Sequence, residues 1–318
     1  METMIRIRAL RHSYEDVLAL DGVSLEVRKG EMFGLIGPDG AGKTTTLRLI
    51  LGLLDSQKGE LDTCGLVPAK QRAELAERVG YLPQRFSLYG DLSVDENVAF
   101  FADVHGVSGW RPKRDELLGL LRLAEFRKRL ADRLSGGMKQ KLALACTLIH
   151  TPELLVMDEP TTGVDPVSRR EFWKILTRLQ REGMTILLTT PYIDEAERCG
   201  RVALMNRGKI LHLDMPEKLK RLGTGSVLEI LALPKRKAAE ILAGHPSIAD
   251  IESFGERLHA SVPSLSPDQS AKLADELGTS LRNEGLDVKS IRVASPSLED
   301  IFIAKIRSED VAGKAAAS

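Results

Sequence analysis

Long hydrophobic runs are missing from this sequence: no uncharged apolar stretch approaches the roughly eighteen residues a membrane-crossing helix needs. A secretory leader is not expected either, because Arg6, Arg8, Arg11, Glu15 and Asp16 crowd the start with no apolar core behind them. Cysteine is scarce. Cys64, Cys146 and Cys199 are odd in number, far apart and in no C-x-x-C pair, so neither a disulfide framework nor a zinc site is expected, and a reducing cytosol fits. Neither charge prevails: Lys+Arg 45 balance Asp+Glu 45. The broad basic excess of a protein that grips phosphate backbones is absent, and no nucleic-acid partner is expected. No internal repeat is found, and low complexity is confined to the small-residue stretch Ala312 to Ser318, inside a tail (307–318) expected to fray.

What is present is ordinary globular material, 43% hydrophobic and 28% charged over 318 residues, a length that suits two domains. From Met4 to about Leu222 compact apolar runs bounded by turn residues (Met32 to Ile36, Leu154 to Met157, Thr185 to Thr189, Val202 to Met205) alternate with helical stretches. Strands buried on both faces read this way, which predicts an α/β domain over 1–222 with a mainly parallel core sheet. Ser93-Val94-Asp95-Glu96 has capping-box spacing, Pro166 opens a helix that Gly183 can close, and Arg207-Gly208 reads as a hairpin turn. After a linker at Gly223, Gly225 and Ser226 the rhythm changes. Strand Val227 to Leu233, helix Arg236 to Ala243, strands Ile248 to Ser253 and Arg257 to Val262, helix Pro267 to Asn283 and strand Val288 to Val293 predict a ferredoxin-like α+β domain over 223–306.

Three segments carry chemistry. Gly37-Pro38-Asp39-Gly40-Ala41-Gly42-Lys43-Thr44 follows a buried strand and opens a helical run from Thr45 to Leu53. Glycines there let backbone N–H groups converge on phosphate oxygens, Lys43 can reach the β/γ oxygens and the Thr44 hydroxyl can ligate Mg²⁺. Second, Leu154 to Glu159 puts two carboxylates at the C-terminal end of a buried strand, where open parallel sheets collect ligands. Asp158 is the expected Mg²⁺ partner, through water, and Glu159 the acceptor of a proton from attacking water. Third, Leu134-Ser135-Gly136-Gly137-Met138-Lys139-Gln140 precedes an apolar helix and offers a second anion-binding helix start, although one nucleotide already has a cradle.

In kind, order and approximate spacing these residues resemble the nucleotide-binding subunit of ATP-binding cassette (ABC) transporters, over residues 4 to 220. The resemblance identifies a Walker A motif at Gly37 to Thr45, a Gln-loop at Gln84 in Tyr81-Leu82-Pro83-Gln84, the signature at Leu134 to Gln140, Walker B at Leu154 to Glu159 and a D-loop at Gly163-Val164-Asp165. It implies a P-loop NTPase fold with a helical signature subdomain, ATP and Mg²⁺ as cofactors, and a cytosolic ATPase peripheral to the inner (plasma) membrane. ATP would contact Gly37, Asp39, Gly40, Ala41, Gly42, Lys43, Thr44 and Thr45, with Tyr14 stacked on adenine; Tyr14 also reads as an ordinary strand aromatic. Two cassettes, alike or unlike, would pack head to tail, so that Ser135, Gly136 and Gly137 of one cover the γ-phosphate held by the other's Lys43. Gln84 would sense Mg²⁺ and water while its loop docks on a membrane subunit, and Asp165 would link the two sites.

One departure stands out. The family places a histidine after the strand that follows Walker B, but here Pro191 occupies that position, and proline offers no side-chain donor. A slow ATP site with an unlike partner supplying the competent one is the hypothesis; sufficiency of Glu159 is its rival. Ser295 to Ile303 and Thr190 to Cys199 resemble the branch of drug exporters with ABC-2 type membrane subunits, which implies efflux of a drug or small amphiphile. Leu298, Ile301 and Phe302 form an i, i+3, i+4 apolar face that reads as packing or as a contact surface. Alternatives are a non-transport ABC ATPase acting on ribosomes or DNA, and an ATP-controlled clamp without useful turnover.

Overall fold

The computed structural model describes residues 2–85, 88–223, 225–263 and 265–306. The expected tail, 307–318, lies outside the described residues. Two compact units divide between Met215 and Pro216, so the short helix Pro216–Lys220 groups with the second unit although the sequence pattern sets the boundary at residue 222.

The first unit is built on a six-stranded sheet in the order Val79–Leu82, Leu154–Asp158, Thr185–Thr190, Met32–Ile36, Arg201–Asn206, Lys209–Asp214. The first five strands run parallel, and the last joins through the hairpin turn at Arg207 (φ 44°) and Gly208 (φ 76°). Every residue of Met32–Ile36, Leu154–Asp158 and Thr185–Thr190 is buried, as continuous apolar runs in a sheet covered on both faces require. The cradle helix runs Lys43–Ile50, shorter than the expected run to Leu53, because Gly52 takes φ 67° and ends it.

A second, antiparallel sheet, Val17–Arg28, Thr3–Tyr14, Lys58–Thr63, was not read from the sequence. Ile5, Ile7, Leu20, Val23, Leu25 and Val27 from it enter the same core as Phe33, Leu35 and Leu47. Helices Val94–Val104, Arg111–Leu120 and Gly136–Leu148 form the helical part, and the predicted capping box closes on itself: Ser93 N donates to Glu96 Oε2 (2.8 Å) and Glu96 N to Ser93 Oγ (3.3 Å). Among the described residues no helix is long and apolar enough to cross a membrane.

The second unit has strands Ser226–Leu233, Asp250–Phe254, Arg257–Val262 and Asp287–Ala294 with helices Lys235–Ala243 and Pro267–Asn283. Taken in chain order as strands one to four, they line up 2-3-1-4 with every neighbour antiparallel, the split β-α-β-β-α-β topology. Residues 298–306 form a further helix whose Leu298, Ile301 and Phe302 are all buried.

Candidate active site

The parallel strands deliver their C-terminal ends to one edge of the sheet, with Asp158 beside Thr189 and Ile36 beside Thr190. Two glycines there have no substitute. A Cβ on Gly37 would sit 2.2 Å from the Met205 carbonyl oxygen, and Gly42, at φ 103°, would put one 2.8 Å from the Ala19 carbonyl oxygen. Gly42 caps the helix Lys43–Ile50 without any side-chain hydrogen bond, which leaves its first-turn amides to an anion. Ala19 belongs to the strand whose hairpin partner carries Tyr14; that ring is 39% exposed and edge-on to His12.

Lys43 is buried, and its Nζ donates to the carbonyls of Gly37 (2.8 Å) and Pro38 (3.1 Å) and lies 3.2 Å from Glu159 Oε1. The other carboxylate oxygen, Oε2, accepts from Gln84 Nε2 (3.0 Å) and Thr162 Oγ1 (3.3 Å). One buried carboxylate is therefore held by three partners. Asp158 Oδ2 accepts from Thr44 Oγ1 at 2.9 Å. The structure thus brings Lys43, Thr44, Gln84, Asp158 and Glu159 together. Gly40, at φ 76°, and Asp39 lie exposed on the cradle turn, Ala41 is buried and Thr45 half-buried on the first helical turn.

Among the described residues no group of three or more His, Cys, Asp or Glu side chains could hold a metal. One hydroxyl and one carboxylate do fit Mg²⁺, which keeps most of its waters and takes the rest of its ligands from phosphate; they do not make a zinc site.

The signature residues lie apart from this cluster in their contacts. Ser135 Oγ accepts from Met138 N (3.3 Å) and so caps its own helix, Gly136 is exposed, and a Cβ on the buried Gly137 would come within 2.5 Å of Ser168 Cβ. Asp165 caps the facing helix Pro166–Arg181, accepting from Val167 N and Ser168 N at 3.0 Å each. The Ser168 hydrogen bonds hold its carboxyl below the usual aspartate range.

Pro191 ends the strand Thr185–Thr190, and the chain turns there on a buried network. Glu195 accepts from Thr161 Oγ1, Thr190 Oγ1 (2.7 Å) and Trp173 Nε1 (3.1 Å), with Arg169 Nε 3.8 Å away.

Sequence reasoning missed Thr189. Its Oγ1 donates to Asp158 Oδ1 (2.6 Å) and accepts from Glu159 N (3.0 Å), and its carbonyl accepts from the same amide (3.1 Å). These bonds hold Glu159 at φ 48°, a left-handed conformation costly for a non-glycine residue. The usable signal was the parallel register of the two predicted strands, which puts a hydroxyl residue opposite the aspartate.

A model of the ABC transporter family matches residues 20–162. Linearmycin resistance ATP-binding protein LnrL of Bacillus subtilis (strain 168) is 32% identical over 308 residues, 94% of this chain and 97% of the relative. The chain belongs to the ABC transporter family. Its first unit is an ABC ATPase cassette, similar to the dimeric structure of MJ0796, a bacterial ABC transporter cassette, at a TM-score of 0.61 and 27% identity over 67% of this chain and 98% of that one. Probable multidrug ABC transporter ATP-binding protein YbhF of Escherichia coli (strain K12) is 38% identical over 293 residues, or 91% of this chain, which spans only 49% of YbhF.

Proposed function

We propose that this ABC chain is the ATP-hydrolysing subunit of an ABC-2 type exporter of drugs or small amphiphiles, acting at the cytosolic face of the membrane through a separate integral subunit. The observation that carries it is the Glu159 carboxylate bridging Lys43 and Gln84 while Asp158 meets Thr44: groups for phosphate, metal and water converge in one chain. Lys43, the cradle amides and the glycines bind the triphosphate. Thr44 and Asp158 would hold Mg²⁺, which would supply neutralisation of phosphate charge. Glu159, freed from Lys43 when phosphate takes that lysine, accepts the proton of the attacking water. Gln84 reports the state of the site to the membrane subunit. Similarity to a drug-resistance ATP-binding protein along almost the whole chain supports the export assignment.

A second cassette completes the site, with Ser135, Gly136 and Gly137 of one copy over the γ-phosphate of the other; similarity to a dimeric cassette supports this arrangement. Pro191 supports a slow site of this chain paired with a competent site in an unlike cassette. The test is purification from membranes with the integral partner, then ATP turnover of wild type, Glu159→Gln and Ser135→Ala in that assembly. Turnover should fall by about 10²-fold or more in Glu159→Gln, and Ser135→Ala should depress it with cradle affinity retained. An assembly without an integral subunit, or turnover indifferent to both substitutions, would overturn the proposal.

A further inference from the structure

Helices Arg111–Leu120, Gly136–Leu148 and Pro166–Arg181 enclose a cavity of about 420 Å³, within the range of small-molecule sites. Much of its charge gathers on Glu171, whose carboxylate accepts from Lys141 Nζ and lies 3.6 Å from Arg122 Nη1. The Lys141 hydrogen bond, then its charge, hold that carboxyl below the usual glutamate range, and Arg122 and Lys174 pull the same way. Three cations share one carboxylate. The other acidic residues of the wall are spent elsewhere, Glu182 on Arg178 (2.9 Å) and Glu116 on Lys113 (2.9 Å), while Lys174 enters no ion pair among the described residues.

Lys141 is 8% exposed, and its hydrogen bond to Glu171 uses one of the three donors an ammonium carries. A nearly buried ammonium with two further donors, on the wall of a cavity, is served by another acceptor there. A cationic guest would meet like charge, and a neutral apolar one would strip water from the ammonium and guanidinium groups and return nothing. Three positive charges against one negative are balanced by a dianion. A phosphate monoester carries about −1.5 to −2 at pH 7 and offers several acceptor oxygens, which suit the fork of an arginine and the point charges of two lysines. Leu120, Leu121 and Ile175 add an apolar wall against which an organic group can lie.

We propose that this cavity binds a small organic phosphate monoester, its phosphate at Arg122, Lys141 and Lys174 and its apolar body along Leu120 and Ile175. Such a guest would touch both Gly136–Leu148 and Pro166–Arg181, the helices whose starts meet at Gly137 and Ser168. The site uses no residue of the proposed nucleotide cluster and stands whether or not the export reading does.

Isothermal titration of the full chain with phenyl phosphate, and in parallel with inorganic phosphate and with phenyltrimethylammonium, tests this. Saturable binding of phenyl phosphate is expected, tighter than that of inorganic phosphate and retained in Lys43→Ala. Arg122→Gln combined with Lys174→Gln, both at exposed positions, should weaken it about tenfold or more. Hydrogen exchange of the unaltered chain should show protection by phenyl phosphate in 116–122 and 171–182, a readout that needs no variant. Absence of saturable binding, equal binding of the organic cation, or an affinity no better than that of inorganic phosphate would each overturn the proposal. So would binding lost in Lys43→Ala but kept in the double variant, or protection confined to 37–45, since either would put the probe in the cradle.

Discussion

Thr189 shows how much of the proposed nucleotide site rests on a residue that holds its two carboxylates in place. A single hydroxyl orients Asp158, proposed for the metal side, and, through the backbone amide, Glu159, proposed for the water side. Thr189→Val keeps the shape and removes the bonds. Turnover should fall about 10–100-fold, the usual cost of losing an outer-shell partner, with ATP affinity nearly unchanged, and Thr189→Ser should restore it; steady-state ATPase beside equilibrium nucleotide binding checks the split. Pro191 poses a different question, because Glu159 is already steadied by Lys43, Gln84 and Thr162. In the membrane assembly Pro191→His should raise turnover at this chain's own site by about tenfold or more, the low end of a positioned acid–base group; brisk wild-type turnover unchanged by Pro191→His would remove the slow-site hypothesis. The cradle glycines and the two carboxylates were legible as residues because each obeys a local backbone or strand-end rule. Thr189 was not, since its importance comes from the strand beside Asp158 rather than from its own neighbours in sequence.

The helix pair that carries the signature is locked by a contact smaller than any side chain. A Cβ on Gly137 would stand 2.3 Å from Ser168 Oγ and 2.5 Å from Ser168 Cβ, so the two helix starts approach backbone to side chain. Gly137→Ala should lower the stability of the first unit by about 1–3 kcal/mol, the range for overpacking. Ser168→Gly in the same chain should recover most of it, which a double-mutant cycle on urea midpoints would measure. Helix starts were plain at this scale: the Ser93 box closes as its spacing implies, and the helix that Pro166 was read to open runs Pro166–Arg181. The three-stranded antiparallel sheet escaped because its strands bulge repeatedly, with register shifts at four places between Thr3–Tyr14 and Val17–Arg28, and bulges break the alternation that marks a strand.

For the protein as a whole, acid should act through a pair of imidazoles. His105 and His150 stack at 4.1 Å beside an apolar cavity, and both ring nitrogens of His150 are buried without a hydrogen-bond partner. Burial, helped by the neighbouring His105, pushes His150 down to about 4, and burial lowers His105 as well. Unfolded histidines take up protons below about 6.5, whereas His150 in the fold resists until about 4. Acid therefore favours the unfolded chain throughout that window, and stability is fully present only above it. Urea midpoints followed by fluorescence of Trp110 and Trp173, both in the first unit, should fall as pH drops from about 6.5 to about 4, and the slope should flatten in His150→Phe.

By itself the sequence determined four buried strands of the main sheet, the proposed phosphate cradle, the carboxylates that face it and the change of rhythm at the second unit. These follow from constraints that act within a few residues: glycine conformations, helix caps and runs of apolar side chains. Only the tertiary structure decided that Thr189 serves Asp158 and Glu159 together, that Gly137 meets Ser168, and that Arg122, Lys141 and Lys174 share Glu171. Such facts depend on strand register and on which faces meet, and a register is chosen by the packing of the whole unit, so no short window of residues contains it.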